Sequence, residues 1–187
     1  MNVAIIINDL PERPGLQLPI YLMRAIVMWD TLIAHLRSRS AEEVSMIKQF
    51  FRSILSISVL LYRLSRGKVM SEVQGLSVLL LTTTGRKTGK KRTTPLGYFT
   101  ENGNYVITAS NAGFDTHPAW FHNLRANPHV TLEIKDRKIE AEAEIAKSEK
   151  RAALWSRLIS LAPGYAGYAT KTTREIPLII LRPLKSE

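Results

Sequence analysis

The sequence predicts an α+β fold: a six-stranded, mainly antiparallel β-barrel with short helices, preceded by an N-terminal helical extension. Three observations predict it. Apolar residues recur at helical spacing up to Gly67, the pattern changes to β-rich runs after Gly75, and Asn102-Gly103 lies between two of those runs as a hairpin signal. A chain of 187 residues is long enough to bury one proper core. Its 45% hydrophobic and 22% charged residues are the balance of a globular chain, which argues against disorder. The composition shift places the boundary between residues 1–70, the helical extension, and residues 71–187, the barrel.

The extension begins with a segment carrying Pro11, Pro14 and Gly15, which is expected to be loosely ordered. Ser40-Ala41-Glu42-Glu43 has the form of a capping box, so a long helix should start there. Val44, Ile47, Phe51, Ile54, Leu61 and Leu64 form its apolar face, and Gly67 supplies the stop. That face packs on the barrel or a sister subunit; the alternative is a peripheral membrane contact aided by Arg52, Arg63, Arg66 and Lys68.

Six strands follow. Ser77 to Thr84, Thr93 to Thr100 and Tyr105 to Ser110 come first, the last two joined by a tight turn at Asn102-Gly103. His129 to Lys135 and Lys138 to Ala146 pair around Asp136-Arg137. In the second of these, Ile139, Ala141, Ala143 and Ile145 share the core face while Lys138, Glu140, Glu142 and Glu144 face water. The last strand, Ile176 to Leu181, is bounded by Pro177 and Pro183, which suits a sheet edge or a strand start. Proline opens a short helix over Pro118 to Ala126, and Ser148 caps another that runs to about Leu161 before Pro163-Gly164.

Charge narrows the function. With 26 Lys and Arg against 16 Asp and Glu, the net charge of +10 creates a field that attracts anions. There is no cysteine, which excludes disulfides, thiolate metal sites and cysteine nucleophiles. His35, His117, His122 and His129 form no tight ligand pattern, so no metal site is expected. The run Val3 to Ile7 lacks a preceding basic region, and Arg24, Asp30 and His35 interrupt the stretch Leu18 to Leu36. Neither a secretory signal nor a transmembrane helix is expected.

The most informative segment is Thr82-Thr83-Thr84-Gly85-Arg86-Lys87-Thr88-Gly89-Lys90-Lys91-Arg92-Thr93-Thr94-Pro95. Arg86, Lys87, Lys90, Lys91 and Arg92 crowd one loop without an acid among them, and like charges gain nothing from crowding unless an anion neutralises them. Gly85 and Gly89 let the backbone turn and bring amide N–H groups towards a phosphate. The loop is not a nucleotide-binding P-loop, because Gly85 to Gly89 is one residue too short, Lys91 stands where Ser or Thr is required, and a strand follows. Single-stranded nucleic acid is also disfavoured, since Gly85 to Thr94 contains no aromatic residue. A solvated basic hairpin tip remains the plain alternative.

From Leu79-Leu80-Leu81 through this loop to Leu96 the chain resembles the deazaflavin (F420)-dependent nitroreductase family of the FMN-binding split-barrel superfamily. The likeness continues over Tyr105 to Gly113, with Thr108-Ala109-Ser110-Asn111, and over His117 to Pro128. It extends to Tyr165-Ala166-Gly167-Tyr168 and Ile176-Pro177, so that it covers roughly residues 50 to 182.

The resemblance implies a split β-barrel that binds coenzyme F420, with FMN as the alternative cofactor. Arg86, Lys87, Thr88 and Arg92 match the family's positions for the coenzyme tail, and Lys90 and Lys91 extend that reach. Thr93 continues from the loop, and Thr94, Pro95, Leu96 and Gly97 pass beneath the coenzyme. Thr108, Ala109, Ser110 and Asn111, with Ala119, Trp120, Phe121, His122 and Asn123, match the segments around the deazaflavin ring and its ribityl chain. The implied activity is hydride transfer from C5 of the reduced deazaflavin to an apolar acceptor, a quinone, an enone or a nitroaromatic. Ser110, Tyr165 and Tyr168 are the expected catalytic donors to the acceptor oxygen, Tyr168 also contacting the cofactor. For the tyrosines, packing of the pocket wall is an equal alternative. A non-enzymatic carrier of lipid or haem is the rival from another class. A small-molecule acceptor, a homodimer, and a cytoplasmic protein with membrane contact at the inner face through the N-terminal helices complete the expectation.

Overall fold

The computed structural model describes residues 55–184. The expectations for the segment before Pro19, the capping box at Ser40 and the helix positions Val44 to Ile54 lie outside the described residues. Helix α1 (residues 55–64) leads into β1 (Glu72–Val73), β2 (Leu76–Thr84), β3 (Lys91–Glu101) and β4 (Asn104–Thr108). A 3₁₀ turn at Asn111–Gly113 and α2 (Ala119–Ala126) connect to β5 (His129–Ile134) and β6 (Arg137–Ile145). Helix α3 (Ser148–Leu161), a 3₁₀ turn at Pro163–Tyr165 and α4 (Ala166–Ala169) precede β7 (Leu178–Pro183).

The six expected strands close into an antiparallel barrel in the order β2-β3-β4-β7-β6-β5, with β5 pairing back to β2 and β1 added outside β2. Closure rests on Leu80–Thr82 of β2 facing Thr131–Glu133 of β5. Strand β3 divides its pairing: Lys91 to Tyr98 face β2, whereas only Tyr98 to Glu101 face β4. Pro95 therefore sits where one side of β3 has no partner strand, the position in which a missing N–H costs least.

Alternation along the strands sorts the core. Leu79, Leu81, Ile107, Leu132, Ile179 and Leu181 point into the barrel, which α2 plugs with Trp120, Phe121 and Leu124. The opposite faces of β4 and β7 present Val106, Leu178 and Ile180 to Leu154 and Leu158 of α3. Val78 and Leu80 on the outside of β2 receive Val59 and Tyr62 of α1.

Turn chemistry follows the sequence. Asn102 and Gly103 both adopt positive φ, 49° and 77°, as a tight hairpin demands. The β5–β6 turn falls at Lys135-Asp136, with Ile134 facing Arg137 and Lys135 at φ 58°, one residue earlier than expected. Gly67, at φ 75°, ends α1, and its amide donates to the Tyr62 carbonyl.

Three expectations are corrected. Strand β7 lies between β4 and β6 and not at an edge, because its prolines stand at its ends and a closed barrel has no edge to offer. Leu61 and Leu64 are 36% and 73% exposed, while Ser58, Val59 and Tyr62 form the buried face of α1. The barrel selects Tyr62 because its hydroxyl donates to the Val78 carbonyl (2.9 Å) and accepts from the Lys135 amide (3.0 Å), satisfying groups that a leucine could not. Ser148 begins α3 with φ 47° and makes no side-chain capping bond.

Candidate functional site

The β2–β3 loop is internally braced. The Gly85 amide donates to the Lys90 carbonyl (2.9 Å), the Thr88 and Gly89 amides donate to the Gly85 carbonyl, and the Lys90 amide donates to the Thr88 hydroxyl. Gly89 takes φ 66°, where a side chain is strained, and a Cβ on Gly85 would press on the Lys90 carbonyl oxygen at 3.0 Å. The Arg86 amide donates to Asn123 Oδ1 (3.1 Å). Five backbone donors that could have met a phosphate are thus engaged within the protein, so an anion at this loop would be met by side chains. Arg86, Lys87, Lys90, Lys91 and Arg92 are exposed, and among the described residues none of them forms an ion pair. Lys91 Nζ donates to the Thr84 hydroxyl.

Helix α2 ties this loop to the barrel. Asn123 is buried and its Nδ2 donates to the hydroxyl of fully buried Thr83 (3.1 Å), so one amide group joins β2, α2 and the loop. The pairing of Thr83 with Arg92 and of Leu81 with Thr94 puts Arg92, Thr94 and Leu96 on the same face of β3, towards the barrel mouth. Thr93 hydrogen-bonds Thr82 through their hydroxyls (2.8 Å). Pro95 is buried, and Gly97 leaves room for Val73 of β1, whose Cγ1 lies 2.9 Å from where a Cβ would stand. Trp120 and Phe121 are barrel core, whereas Ala119 and His122 of the same turn reach the surface.

From the loop a polar ridge runs along the barrel end. Burial lowers the His122 pKa, assisted by Arg86 and Arg125. His117 stands 5.9 Å from His122, ring to ring, and 4.5 Å from Phe121. Burial lowers its pKa too, with Arg174, His122 and Arg125 adding repulsion, so both rings are held neutral. Beyond His117 lie Arg174 and the carbonyl of Ser110. Thr108 and Ala109 are buried where β4 ends; Ser110 and Asn111 are half-buried, and the Ser110 hydroxyl has no partner among the described residues.

Tyr165 and Tyr168 lie behind this ridge. Tyr165 is buried against α3 and its pKa is raised, mainly by desolvation. Tyr168 packs edge-on to it at 5.5 Å, and its hydroxyl accepts from Gln74 Nε2 (2.5 Å), which leaves the phenolic proton to donate. The backbone of α4 touches the 3₁₀ turn, the Tyr168 carbonyl oxygen lying 2.8 Å from where a Cβ on Gly113 would stand. A depression of about 230 Å³ opens there, lined by Ala112 to Asp115 and Lys171.

The structure therefore brings Arg86, His122, Asn123, Ser110 and Asn111 to one end of the barrel and sets the tyrosines across the 3₁₀ turn from them. Sequence reasoning passed over Arg174 and Gln74. Each is a single polar residue in an irregular segment, where no periodicity reveals a role.

The β2–β3 loop gathers five exposed cations with no acid among them, an arrangement that favours an anionic ligand. The family model described as F420H(2)-dependent quinone reductase matches residues 55–183. The chain belongs to that family. Membership makes it an oxidoreductase with coenzyme F420 as its cofactor. Among its relatives, an F420H(2)-dependent quinone reductase of Mycobacterium tuberculosis is 33% identical over 132 residues, covering 68% of this chain and 89% of the relative. A solved F420-H2 dependent reductase is 40% identical with a TM-score of 0.53, covering 56% of this chain and 93% of that one. Another solved relative, a domain-swapped dimer, is 34% identical with a TM-score of 0.56, covering 72% of this chain and 98% of its own.

Proposed function

We infer that this protein transfers a hydride from reduced F420 to an apolar acceptor such as a quinone, an enone or a nitroaromatic, in the manner of the deazaflavin-dependent nitroreductases. The observation that carries this reading is the loop 85–92, whose five cations are unpaired among the described residues and whose amides are mostly engaged internally. Such a loop discriminates by charge, and a polyanionic tail supplies several charge-assisted contacts at once. Arg86, Lys87, Thr88 and Arg92 hold that tail, and Thr94 and Leu96 on the mouth-facing side of β3 support the body of the coenzyme.

Bound on this face, the reduced deazaflavin would supply a hydride with no need of a protein nucleophile. The protein's part is to orient and to stabilise charge. The Ser110 hydroxyl and the phenolic proton of Tyr168, neither engaged among the described residues, are donors for an acceptor oxygen that becomes negative as the hydride arrives. Tyr165, with its pKa raised by burial, holds the neighbouring Tyr168 and stays protonated itself.

The exposed stripe Ile57, Leu60, Leu61 and Leu64 on α1, beside Arg66 and Lys68, supports contact with an anionic bilayer at the inner face of the membrane, where apolar quinones reside. No helix among the described residues is long and apolar enough to cross a membrane. Two copies of the chain pair as a homodimer, as one solved relative is a domain-swapped dimer.

Titration of the purified protein with oxidised F420 and, separately, FMN at physiological ionic strength tests the assignment by absorbance and fluorescence. F420 is expected to bind, and reduced F420 to be oxidised on addition of a quinone. Uptake of FMN alone, or of neither by a folded protein, rejects it.

A further inference from the structure

Arg174 makes a set of contacts out of proportion to its place in an irregular loop. Its Nε donates to the Phe114 carbonyl (2.7 Å), and its Nη2 donates to the carbonyls of Ala109 (3.2 Å) and Ser110 (2.7 Å). Its Nη1 meets Nδ1 of His117 at 3.2 Å. Four acceptors from one short stretch of chain thus converge on one guanidinium.

The stretch they enclose is strained. Asn111 and Ala112 adopt φ of 49° and 51°, followed by Gly113 at 84°. A left-handed non-glycine residue costs on the order of 1–2 kcal/mol, and alanine has no side-chain hydrogen bond to offset it. Such a conformation persists only where its surroundings over-determine it. Arg174 grips the chain on both sides of the strain, at residues 109 and 110 before it and at 114 after it. The Thr172 hydroxyl adds a bond to the Asp115 carboxylate (2.7 Å) between the same two loops.

The contact with His117 has a chemical consequence. A guanidinium only donates, so Nδ1 of His117 must accept, which places the ring proton on Nε2. Burial, and then the charges of Arg174, His122 and Arg125 around the ring, favour the neutral form, and Phe121 packs against its face.

We propose that Arg174 is a positioning residue of the reductase: its guanidinium holds the Ser110–Gly113 turn in its coenzyme-contacting shape and fixes His117 as a neutral Nε2–H donor on that face. This rests on the reading that F420 occupies the face from Arg86 to Ser110. Lysine at this position keeps the charge but offers one point of attachment where four acceptors wait.

The test uses the full chain and its Arg174→Lys variant, with Arg86→Ala as a comparison. In the wild type, imidazole ¹⁵N shifts at neutral pH and above should show His117 as the Nε2–H tautomer. In Arg174→Lys, His117 should titrate at higher pH, and the dissociation constant for oxidised F420 should rise about tenfold or more, while Arg86→Ala weakens binding without altering His117. Wild-type protein that binds no F420 defeats the parent reading, although the tautomer still reports on the clamp. A folded Arg174→Lys protein with unchanged F420 affinity, or with unchanged His117 titration, overturns the proposal. Should that variant fail to fold, the wild-type spectrum decides, since a proton on Nδ1 of His117 contradicts the clamp outright.

Discussion

At the scale of single residues, Asn123 does the most with the least. Its carbonyl oxygen holds the Arg86 amide and its nitrogen holds the Thr83 hydroxyl, which is entirely buried. Asn123→Ala should lower stability by about 1–3 kcal/mol, the cost of a buried polar group left without its partner. It should also weaken F420 binding several-fold by freeing the base of the loop. Denaturant melts and coenzyme titration of the same sample measure both, and a stable variant of unchanged affinity refutes the anchoring role. The histidines give a pH dependence of fixed sign. His117 and His122 both have pKa values lowered from 6.5, chiefly by desolvation. The unfolded chain therefore takes up these protons first, so their contribution to stability is complete above about pH 6.5 and declines as pH falls through that value. Urea midpoints should drop between about pH 7.5 and 5.5 more steeply in the wild type than in a His117→Gln/His122→Gln variant. Parallel profiles would remove these rings from the account. Of this site the sequence made the cationic loop, Ser110 and Asn123 legible through local pattern and family likeness. Arg174 was not, because its importance comes from carbonyls more than 50 residues earlier in the chain, at Ala109, Ser110 and Phe114.

At the scale of elements, the β2–β3 loop concentrates what the sequence advertised. Replacing Arg86 and Lys87 together with alanine should raise the dissociation constant for F420 by about tenfold and flatten its dependence on salt, because two screened attractions vanish. Equal salt slopes in isothermal titrations of variant and wild type would show that the tail binds elsewhere. The loop's bracing by its own backbone bonds predicts that the double variant keeps the wild-type fold, since the substituted side chains carry none of those bonds. The strands were legible for a related reason: alternation, the Asn102-Gly103 turn and the proline-bounded segments are local signals, and each expected strand lies within two residues of its place. The errors are non-local. Which face of α1 is buried depends on where Val78 and Lys135 present a carbonyl and an amide, and the central place of β7 depends on closure of a barrel that no single segment encodes.

At the scale of the whole molecule, the barrel closes at a short seam, and α1 lies across it. Strands β2 and β5 meet over three residue pairs, Leu80–Glu133, Leu81–Leu132 and Thr82–Thr131, whereas β2 and β3 share eight. Tyr62 spans this seam with a single oxygen, donating to Val78 of β2 and accepting from Lys135 at the end of β5. Arg63 reinforces it with two bonds to the Glu133 carboxylate, at 2.7 and 2.5 Å. That ion pair is half exposed and contributes little by itself, whereas the tyrosine hydroxyl is buried and satisfies two backbone groups. Tyr62→Phe keeps the ring in its cluster with Val59, Val78 and Leu80 but strips both groups of their partner. It should cost about 1–3 kcal/mol, and the loss should be local before it is global. Amide hydrogen exchange in the variant is expected to accelerate first at Lys135 and at the Leu80–Thr82 and Thr131–Glu133 pairs, while Tyr98–Glu101 against β4 retain their protection. Uniform acceleration across all strands would mean that closure is shared evenly around the barrel. Arg63→Ala should leave the exchange pattern nearly unchanged, which separates the hydrogen-bonded bridge from the surface charge beside it.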